Sequence, residues 1–244
     1  MRPVEVAKQA AARWPEDTSF EAFLATLPLN EDNVYQFFFE ANRDRIKVRS
    51  EAQALPKLKL IVQAIFDISA HRGFHAMSTR DLCDATGISM GGVYNYIGSK
   101  DQFSSMLIAF VGQTFTEINR VLLPPGEARH ARLEAHVRAQ VYMTELFRPW
   151  YFFVFMETKN APAEQKGQVK DVERRLVDSL ASMIEEGVAA GDYDCAAPKL
   201  VAATVLAVVD DWYLKPWYFR SAGTDVEAYA DYVVDALNRL IGNR

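Results

Sequence analysis

Residues 79–101 read TRDLCDATGISMGGVYNYIGSKD, and this pattern predicts two short helices joined by a tight turn. Ser78 or Thr79 can cap the first helix, because a side-chain hydroxyl there accepts a hydrogen bond from an unpaired helix amide. Gly87 suits the end of that helix, and Ser89 suits the start of the next one. Helix, tight turn and helix form the helix-turn-helix arrangement, whose second helix enters the major groove of DNA.

Helical periodicity continues on both sides of this motif, whereas alternating strand patterns are almost absent. Apolar residues repeat every three to four positions over residues 58–70, and Gly73 can end that helix. After a break at residues 123–126, helical patterns cover residues 127–147, 150–159, 163–190, 198–219 and 224–241. Pro216 is expected to kink or end the fourth of these segments. The sequence therefore predicts an all-α protein.

Composition limits the class of protein. The chain has 244 residues, of which 50% are hydrophobic and 24% charged, as in a folded domain rather than a disordered or fibrous chain. Its longest nearly apolar run, residues 200–209, is about half of the ~20 residues that a membrane span needs, and the N-terminus has no apolar signal region. Cys83 and Cys195 form no CxxC pair and no disulfide framework. We therefore expect a cytoplasmic protein with no membrane partner.

The net charge of −5 disfavours non-specific binding to polyanions. A short positively charged face can still bind phosphates, since exposed charges act over a Debye length of ~8 Å. Overall acidity therefore does not exclude a protein that reads DNA.

Residues 79–101, within a match over about residues 57–110, resemble the DNA-binding domain of the tetracycline-repressor (TetR) family. The resemblance implies that Tyr94 and Tyr96 belong to the aromatic pair of the recognition helix, and that Lys100 is the lysine following it. Ile97 and Gly98 depart from the family pattern, in which Phe and a polar residue are commoner. The resemblance also implies a dimer that binds a double-stranded DNA operator and responds to a small molecule.

The expected DNA contacts follow from side-chain chemistry. Hydroxyls and helix N-termini bind phosphate oxygens, Lys100 adds a point charge, and Asn95 can pair with adenine while Met90 contacts thymine methyl groups. Gly91 and Gly92 have no side chains, so we expect them to let the helix approach DNA closely. The candidate DNA-binding residues are Thr79, Ser89, Met90, Gly91, Gly92, Tyr94, Asn95, Tyr96 and Lys100.

The N-terminal region contains a weak repeat of the motif. A shift of 59 positions aligns Ser19 with Ser78 and Tyr35 with Tyr94 without a gap, while Pro28 replaces Gly87 and Ala41 replaces Lys100. The aligned region is mainly acidic, so it would repel phosphates. We expect residues 1–55 to form a degenerate helix-turn-helix-like unit that serves packing, dimer support or DNA-mimicking autoinhibition. An ordinary helical extension with an accidental repeat is the alternative.

Residues 111–244 are rich in aromatic side chains, and the family resemblance implies that this region dimerises and holds a ligand pocket. The candidate ligand-binding residues are Tyr142, Phe147, Arg148, Trp150, Tyr151, Phe153, Arg174, Trp212, Tyr213 and Trp217. The alternative explanation of the aromatic residues is a dense core with a dimer interface. The alternative explanation of the basic residues is a solvated helix face.

The segment 150–159 and its surroundings also resemble the TetR subgroup that responds to acyl-CoA thioesters. That resemblance implies a hydrophobic small-molecule effector, with an acyl-CoA as one candidate, whose phosphates would lie near Arg148, Lys159, Arg174 or Arg175. Segments 198–219 and 224–241 are apolar on broad faces, so we expect them to form the dimer interface.

Signals for catalysis are weak. Residues 87–91 match GxSxG, but a nucleophile elbow needs a preceding strand and an α/β sheet. His71 and His75 have the spacing of a metal pair, yet Gly73 lies between them and no carboxylate completes a ligand set. We therefore expect no catalytic residue, metal or resident cofactor.

We predict three segments: residues 1–55, the DNA-binding domain 56–110, and the ligand-binding and dimerisation domain 111–244. The predicted function is a ligand-responsive transcriptional repressor that binds a palindromic operator as a homodimer. A non-regulatory helical adaptor and an esterase-like enzyme are the alternatives.

Overall fold

A computed structural model describes residues 17–122, 128–158 and 162–242, with the side chains of 115–122 and 158 excluded. These residues form helices and contain no strand, which confirms the all-α prediction. The helices are α1 Phe20–Thr26, α2 Val34–Ala41, α3 Glu51–Arg72, α4 Thr79–Thr86, α5 Met90–Ile97, α6 Lys100–Leu122, α7 Arg129–Leu146, α8 Arg148–Thr158, α9 Ala163–Ala190, α10 Pro198–Leu214, α11 Pro216–Ser221 and α12 Val226–Leu240. The predicted break at residues 123–126 lies outside the described residues.

The chain divides into two compact units. The described part of unit 1 consists of Leu29–Phe115 and of residues 149–158 and 162–169, and that of unit 2 consists of residues 17–28, 116–122 and 128–148 with the chain from Lys170 to Gly242. Helix α1 thus belongs to unit 2, whereas α2 belongs to unit 1. The predicted boundary between residues 55 and 56 lies inside α3, and residues 1–16 of the first predicted segment lie outside the described residues.

Unit 1 is built around an aromatic core. Helix α2 packs on α3, and its Phe38 ring lies 5.3 Å from the Phe110 ring and 5.5 Å from the Trp150 ring, measured between centroids. The Phe74 and Phe153 rings meet edge to face at 4.9 Å. Aromatic pairs in this geometry add about 0.5–1.5 kcal/mol each beyond the burial of their apolar area. The core therefore joins α2 to α6 and α8.

In unit 2, α7 is the central helix, because residues on nearly every face of it are buried. It packs against α1, α10 and α12, and an ion pair between Arg138 and Asp231 joins it to α12. The Tyr142 hydroxyl donates to the Thr18 carbonyl at 2.7 Å, and the Phe20 amide donates to Glu227 at 2.8 Å. These hydrogen bonds, and the Phe20 and Phe23 rings at 5.2 and 5.3 Å from the Tyr142 ring, hold α1 against α7 and α12 within unit 2.

Pro216 ends the predicted helix over residues 198–219, so that α10 and α11 are separate helices. A proline ring cannot donate a backbone hydrogen bond and collides with the preceding turn. Among the described residues, no helix is long and apolar enough to cross a membrane.

Candidate functional site

The turn between α4 and α5 is built by local chemistry. The Ser78 hydroxyl accepts from the Asp81 amide at 3.2 Å, and the Asp81 carboxylate accepts from the Ser78 amide at 2.7 Å, so the two residues form a capping box. The hydrogen bonds that the Ser78 amide and the Ser78 hydroxyl donate to the Asp81 carboxylate, with a smaller contribution from Arg72, lower the pKa of the Asp81 carboxyl to about 2. Gly87 ends α4 at φ +68°, a left-handed conformation that glycine adopts without steric cost.

Helix α5 presents one face to solvent and one face to the protein. Its first turn is capped by Ser89, whose hydroxyl accepts from the Gly92 amide at 3.3 Å. Met90 is 48% exposed and Tyr94 42% exposed, and Asn95 also lies on the exposed face. This face provides a thioether, a phenol and an amide, which can make apolar and hydrogen-bonding contacts with base edges.

Tyr96 differs from its prediction as a DNA-binding residue. Its side chain is only 4% exposed and lies on the buried face of α5 with Val93 and Ile97. Residues two apart on a helix point to nearly opposite sides, so Tyr94 and Tyr96 cannot share a face. In this structure Tyr96 therefore contributes to the core of the motif rather than to its surface.

The two glycines of α5 also differ from each other. Apart from its chain neighbours and the backbone of α5, no atom of the described residues would lie within 4 Å of a Cβ atom at Gly91, so this position leaves open space on the surface of the motif. A Cβ atom at Gly92 would lie 2.7 Å from the Ile88 Cγ2 atom. Gly91 thus suits the predicted close approach to DNA, whereas Gly92 is explained by packing inside the turn.

Lys100 makes internal contacts instead of pointing to solvent. Its ammonium group donates to the His75 carbonyl at 2.9 Å and to the Met77 carbonyl at 2.7 Å, and it lies 5.0 Å from the Phe74 ring centroid. Burial lowers the pKa of its ammonium group. Two of its three donors are therefore used to hold the loop between α3 and α4, which differs from the predicted phosphate contact.

The remaining predicted phosphate contacts lie at the edge of the motif. The Thr79 hydroxyl lies 3.3 Å from the Tyr94 hydroxyl, a contact that joins α4 to α5, and Ser89 is exposed. Sequence reasoning missed the neighbouring segment 43–49, in which Arg45, Lys47 and Arg49 are all exposed. Basic residues at every second position were the available signal.

The ten predicted ligand-binding residues are divided between the two units. Trp150, Tyr151 and Phe153 belong to unit 1, and the others belong to unit 2. Trp150 and Phe153 are buried in the aromatic core, which agrees with the alternative explanation of these side chains. Trp217 is 68% exposed, and Arg174 is exposed in an ion pair with Asp171.

Within unit 2, several of these residues are in mutual contact or buried. The Trp212 indole N–H donates to the Glu145 carboxylate at 2.7 Å, and Arg148 pairs with the same carboxylate. Tyr142, Phe147 and Tyr213 are buried. Glu145 thus connects Trp212 with Arg148 in a cluster that sequence reasoning did not identify.

Helix α7 also carries a buried polar stripe, which we define as His136, Gln140 and Thr144. Their side chains are 1%, 3% and 2% exposed, and the spacing of four residues places them on one helix face. The His136 Nε2 and Gln140 Nε2 atoms have no hydrogen-bond partner among the described residues. Burial lowers the pKa of the His136 imidazole to about 4, so the ring is neutral at pH 7.

A capped helix-turn-helix with an exposed second helix, followed by a separate helical unit, defines the class of helix-turn-helix DNA-binding regulators. Residues 61–104 match the family model for bacterial regulatory proteins of the tetR family, and residues 126–241 match the model for the tetracyclin repressor-like C-terminal domain. The chain belongs to the TetR family and is a transcriptional regulator rather than an enzyme, as the sequence predicts. No curated protein sequence matches the chain.

Solved structures have the same fold. A tetR-family regulatory protein from Rhodococcus RHA1 is 21% identical with a TM-score of 0.69, and the match covers 80% of this chain and 99% of that chain. FadR from Bacillus subtilis, solved in complex with stearoyl-CoA, is 15% identical with a TM-score of 0.57, over 76% of this chain and 100% of its own. AibR, in complex with isovaleryl coenzyme A and operator DNA, is 17% identical with a TM-score of 0.61, and the match covers 76% of this chain and 98% of AibR.

Proposed function

We propose that the protein is a homodimeric repressor that binds a palindromic operator and is released by a hydrophobic small molecule. The observation that carries the DNA-binding part is the exposed face of α5, where Met90, Tyr94 and Asn95 lie beyond a helix start capped by Ser89. A recognition helix needs such a face, because specificity comes from side chains that reach base edges.

Exposed apolar side chains at the end of the chain support a dimer. Large apolar residues on α10, α11 and α12 are 47% to 68% exposed: Leu200, Trp217, Tyr218, Tyr232 and Leu240. Exposed apolar area of this kind marks protein interfaces. Two-fold symmetry would place two recognition helices about 34 Å apart, which requires an operator with near-palindromic half-sites.

The buried polar stripe of α7 supports a ligand in unit 2. Buried polar groups are normally hydrogen-bonded, and one left unpaired costs about 1–3 kcal/mol. An effector with a carbonyl oxygen would pair with His136 or Gln140, and a thioester provides such an oxygen beside an acyl chain. FadR with stearoyl-CoA and AibR with isovaleryl coenzyme A favour an acyl-CoA among hydrophobic ligands.

Selection of bound sequences from random duplex DNA tests the proposed operator. We expect the full chain to enrich a palindrome, and Tyr94→Ala to enrich none. The absence of enrichment by the wild-type chain would instead favour the helical adaptor.

The effector is tested on the selected operator complex with acyl-CoA thioesters of increasing chain length. Free coenzyme A and the matching fatty acids serve as controls. Coupling of 1–3 kcal/mol corresponds to an operator affinity lowered about 5- to 150-fold. We expect Gln140→Met to keep operator binding and to lose part of this response, since it preserves the shape but removes the amide. An unchanged response would exclude Gln140 as an effector contact.

A further inference from the structure

The helix-turn-helix has no net positive charge of its own. Residues 78–98 contain one basic residue, Arg80, and two acidic residues, Asp81 and Asp84. The ammonium group of Lys100 is hydrogen-bonded to two carbonyl groups of the protein. Phosphate neutralisation supplies much of the affinity of proteins for DNA. A protein that reads DNA through α5 therefore needs cations from a neighbouring element.

Residues 43–49, which we call the basic segment, are attached directly to the recognition helix. The Lys47 amide donates to the Asn95 carbonyl of α5 at 2.8 Å. Ile46, which is 1% exposed, anchors the segment in the core of unit 1, while Arg45, Lys47 and Arg49 are exposed. The segment thus buries its apolar anchor and leaves three cations on the surface next to α5.

Arg43 stabilises the backbone of the basic segment. Its guanidinium donates to the Arg49 carbonyl at 2.5 Å and lies 4.5 Å from the Phe39 ring centroid. Because this contact closes a loop over residues 43–49, the three exposed cations project from a supported backbone. The segment holds four basic residues and one acidic residue, Asp44, so its net charge is opposite to that of residues 78–98.

We propose that Arg45, Lys47 and Arg49 form a second DNA-binding element that contacts the phosphate backbone beside the bases read by α5. The inference rests on the proposed function, and it assigns the affinity to a segment outside both family-model matches, which cover residues 61–104 and 126–241. Duplex DNA fits these residues better than an acidic protein partner, because the Lys47 amide is bonded to the carbonyl of Asn95, a residue of the exposed face of α5. In this arrangement α5 supplies specificity and the basic segment supplies affinity.

The test replaces the three cations by Arg45→Gln, Lys47→Gln and Arg49→Gln in the full chain. This variant keeps the Lys47 amide and the Ile46 anchor. A matched control, Lys170→Gln with Arg175→Gln and Arg220→Gln, removes one lysine and two arginines from exposed positions in unit 2. Operator affinity is measured against salt concentration on the sequence selected by the wild-type chain.

Each phosphate contact contributes a slope of about −0.9 in log K against log salt. We expect the triple variant to lower the magnitude of the slope by about 2.7 per protomer, and by about 5 for a dimer, with an affinity loss of at least about 100-fold at 0.15 M salt. The preferred sequence should stay the same, since phosphate contacts carry no base information. The control triple should match the wild type.

Equal slopes for the triple variant and its control, with a wild-type chain that binds its operator, would overturn this inference alone. Failure of the wild-type chain to select any sequence would overturn the proposed function instead. Thermal melting checks that the triple variant is folded. Arg45→Lys with Arg49→Lys retains all charges, so it should keep the wild-type slope; a loss of slope in this pair would also contradict simple phosphate binding.

Discussion

Helices α2 and α5 occupy aligned positions under the shift of 59 residues, yet the aligned tyrosines of the two helices have opposite environments. Tyr35 in α2 is 8% exposed, whereas the aligned Tyr94 in α5 is 42% exposed. Phe38 of α2 lies in the aromatic core of unit 1, and the aligned Ile97 of α5 is buried as well, so the difference is confined to the tyrosine position. A repeated helical pattern therefore specifies local structure, while the partners of a helix decide whether a given residue is buried in the core or faces solvent.

The helix starts show what the repeat does preserve. Ser19 caps α1 by accepting from the Ala22 amide, as Ser78 caps α4 by accepting from the Asp81 amide. Under the same shift, the first residue of α1 aligns with the first residue of α4. The role of residues 1–55 as a degenerate helix-turn-helix-like unit stays a prediction, and α1 and α2 belong to different compact units.

The largest expected contrast is between Phe38→Ala and Tyr94→Ala. Phe38 is fully buried against three aromatic rings, so its truncation should lower the free energy of unfolding by about 3–5 kcal/mol. Tyr94→Ala should cost about 1 kcal/mol or less, through the contact with Thr79, and should abolish sequence-specific DNA binding. Urea unfolding and binding to the selected operator measure the two effects.

Tyr94→Phe is the control for this contrast, because it removes only the hydroxyl. It should bind DNA better than Tyr94→Ala if the ring contacts bases. A stable Phe38→Ala variant would show that α2 is dispensable for the core. Unchanged operator affinity in Tyr94→Ala would contradict the assignment of α5 as the recognition helix.

Lys100 is a further difference between the motif and its N-terminal repeat, since the aligned residue in the repeat is Ala41. Lys100→Met should lower the free energy of unfolding by about 1–3 kcal/mol, because two backbone carbonyls lose a charged donor. The salt dependence of DNA binding should stay at the wild-type slope. A slope reduced by about one per protomer would instead support the phosphate contact predicted from the sequence.

Alanine substitutions at the two adjacent glycines should change the free energy of unfolding in opposite directions. Gly91→Ala should raise the free energy of unfolding by about 0.5–1 kcal/mol, because its Cβ meets open space and alanine favours the helix. Gly92→Ala should lower it by about 1 kcal/mol net, since the side chain of Ile88 must move. Thermal melting compares them, and operator binding should weaken for Gly91→Ala despite its higher stability. Equal signs in the melting experiment would contradict the packing role of Gly92.

Sequence reasoning succeeded where structure is local. The sequence predicts the caps Ser78, Gly87 and Ser89 because the capping hydrogen bonds join residues at most four positions apart. The family match then confirms the class of protein. The opposed faces of Tyr94 and Tyr96 could also have been predicted, since their spacing on a helix excludes a shared surface.

The remaining features depend on contacts between distant parts of the chain. Neither the hydrogen bonds of Lys100 to the carbonyls of His75 and Met77 nor the insertion of Phe38 beside Trp150 can be inferred from periodicity. Aromatic density likewise predicts burial without distinguishing a core from a pocket. The charges of the basic segment can be read from the sequence, but its place beside α5 follows only from its hydrogen bond to that helix.

The smallest expected effect is a difference between the capped starts of α1 and α4 in how their stability depends on pH. Asp81 completes a capping box that α1 lacks, because Ala22 stands at the corresponding position. The pKa of Asp81 is lowered to about 2 in the folded chain, so its stabilising effect is complete above the ordinary value of 3.8 and is lost as pH falls toward 2. Asp81→Asn should therefore flatten the dependence of melting temperature on pH between about 4 and 2, relative to the wild type. Ala22→Asp should introduce the same dependence at α1, and its failure to do so would show that the resemblance of the two helix starts ends at the serine.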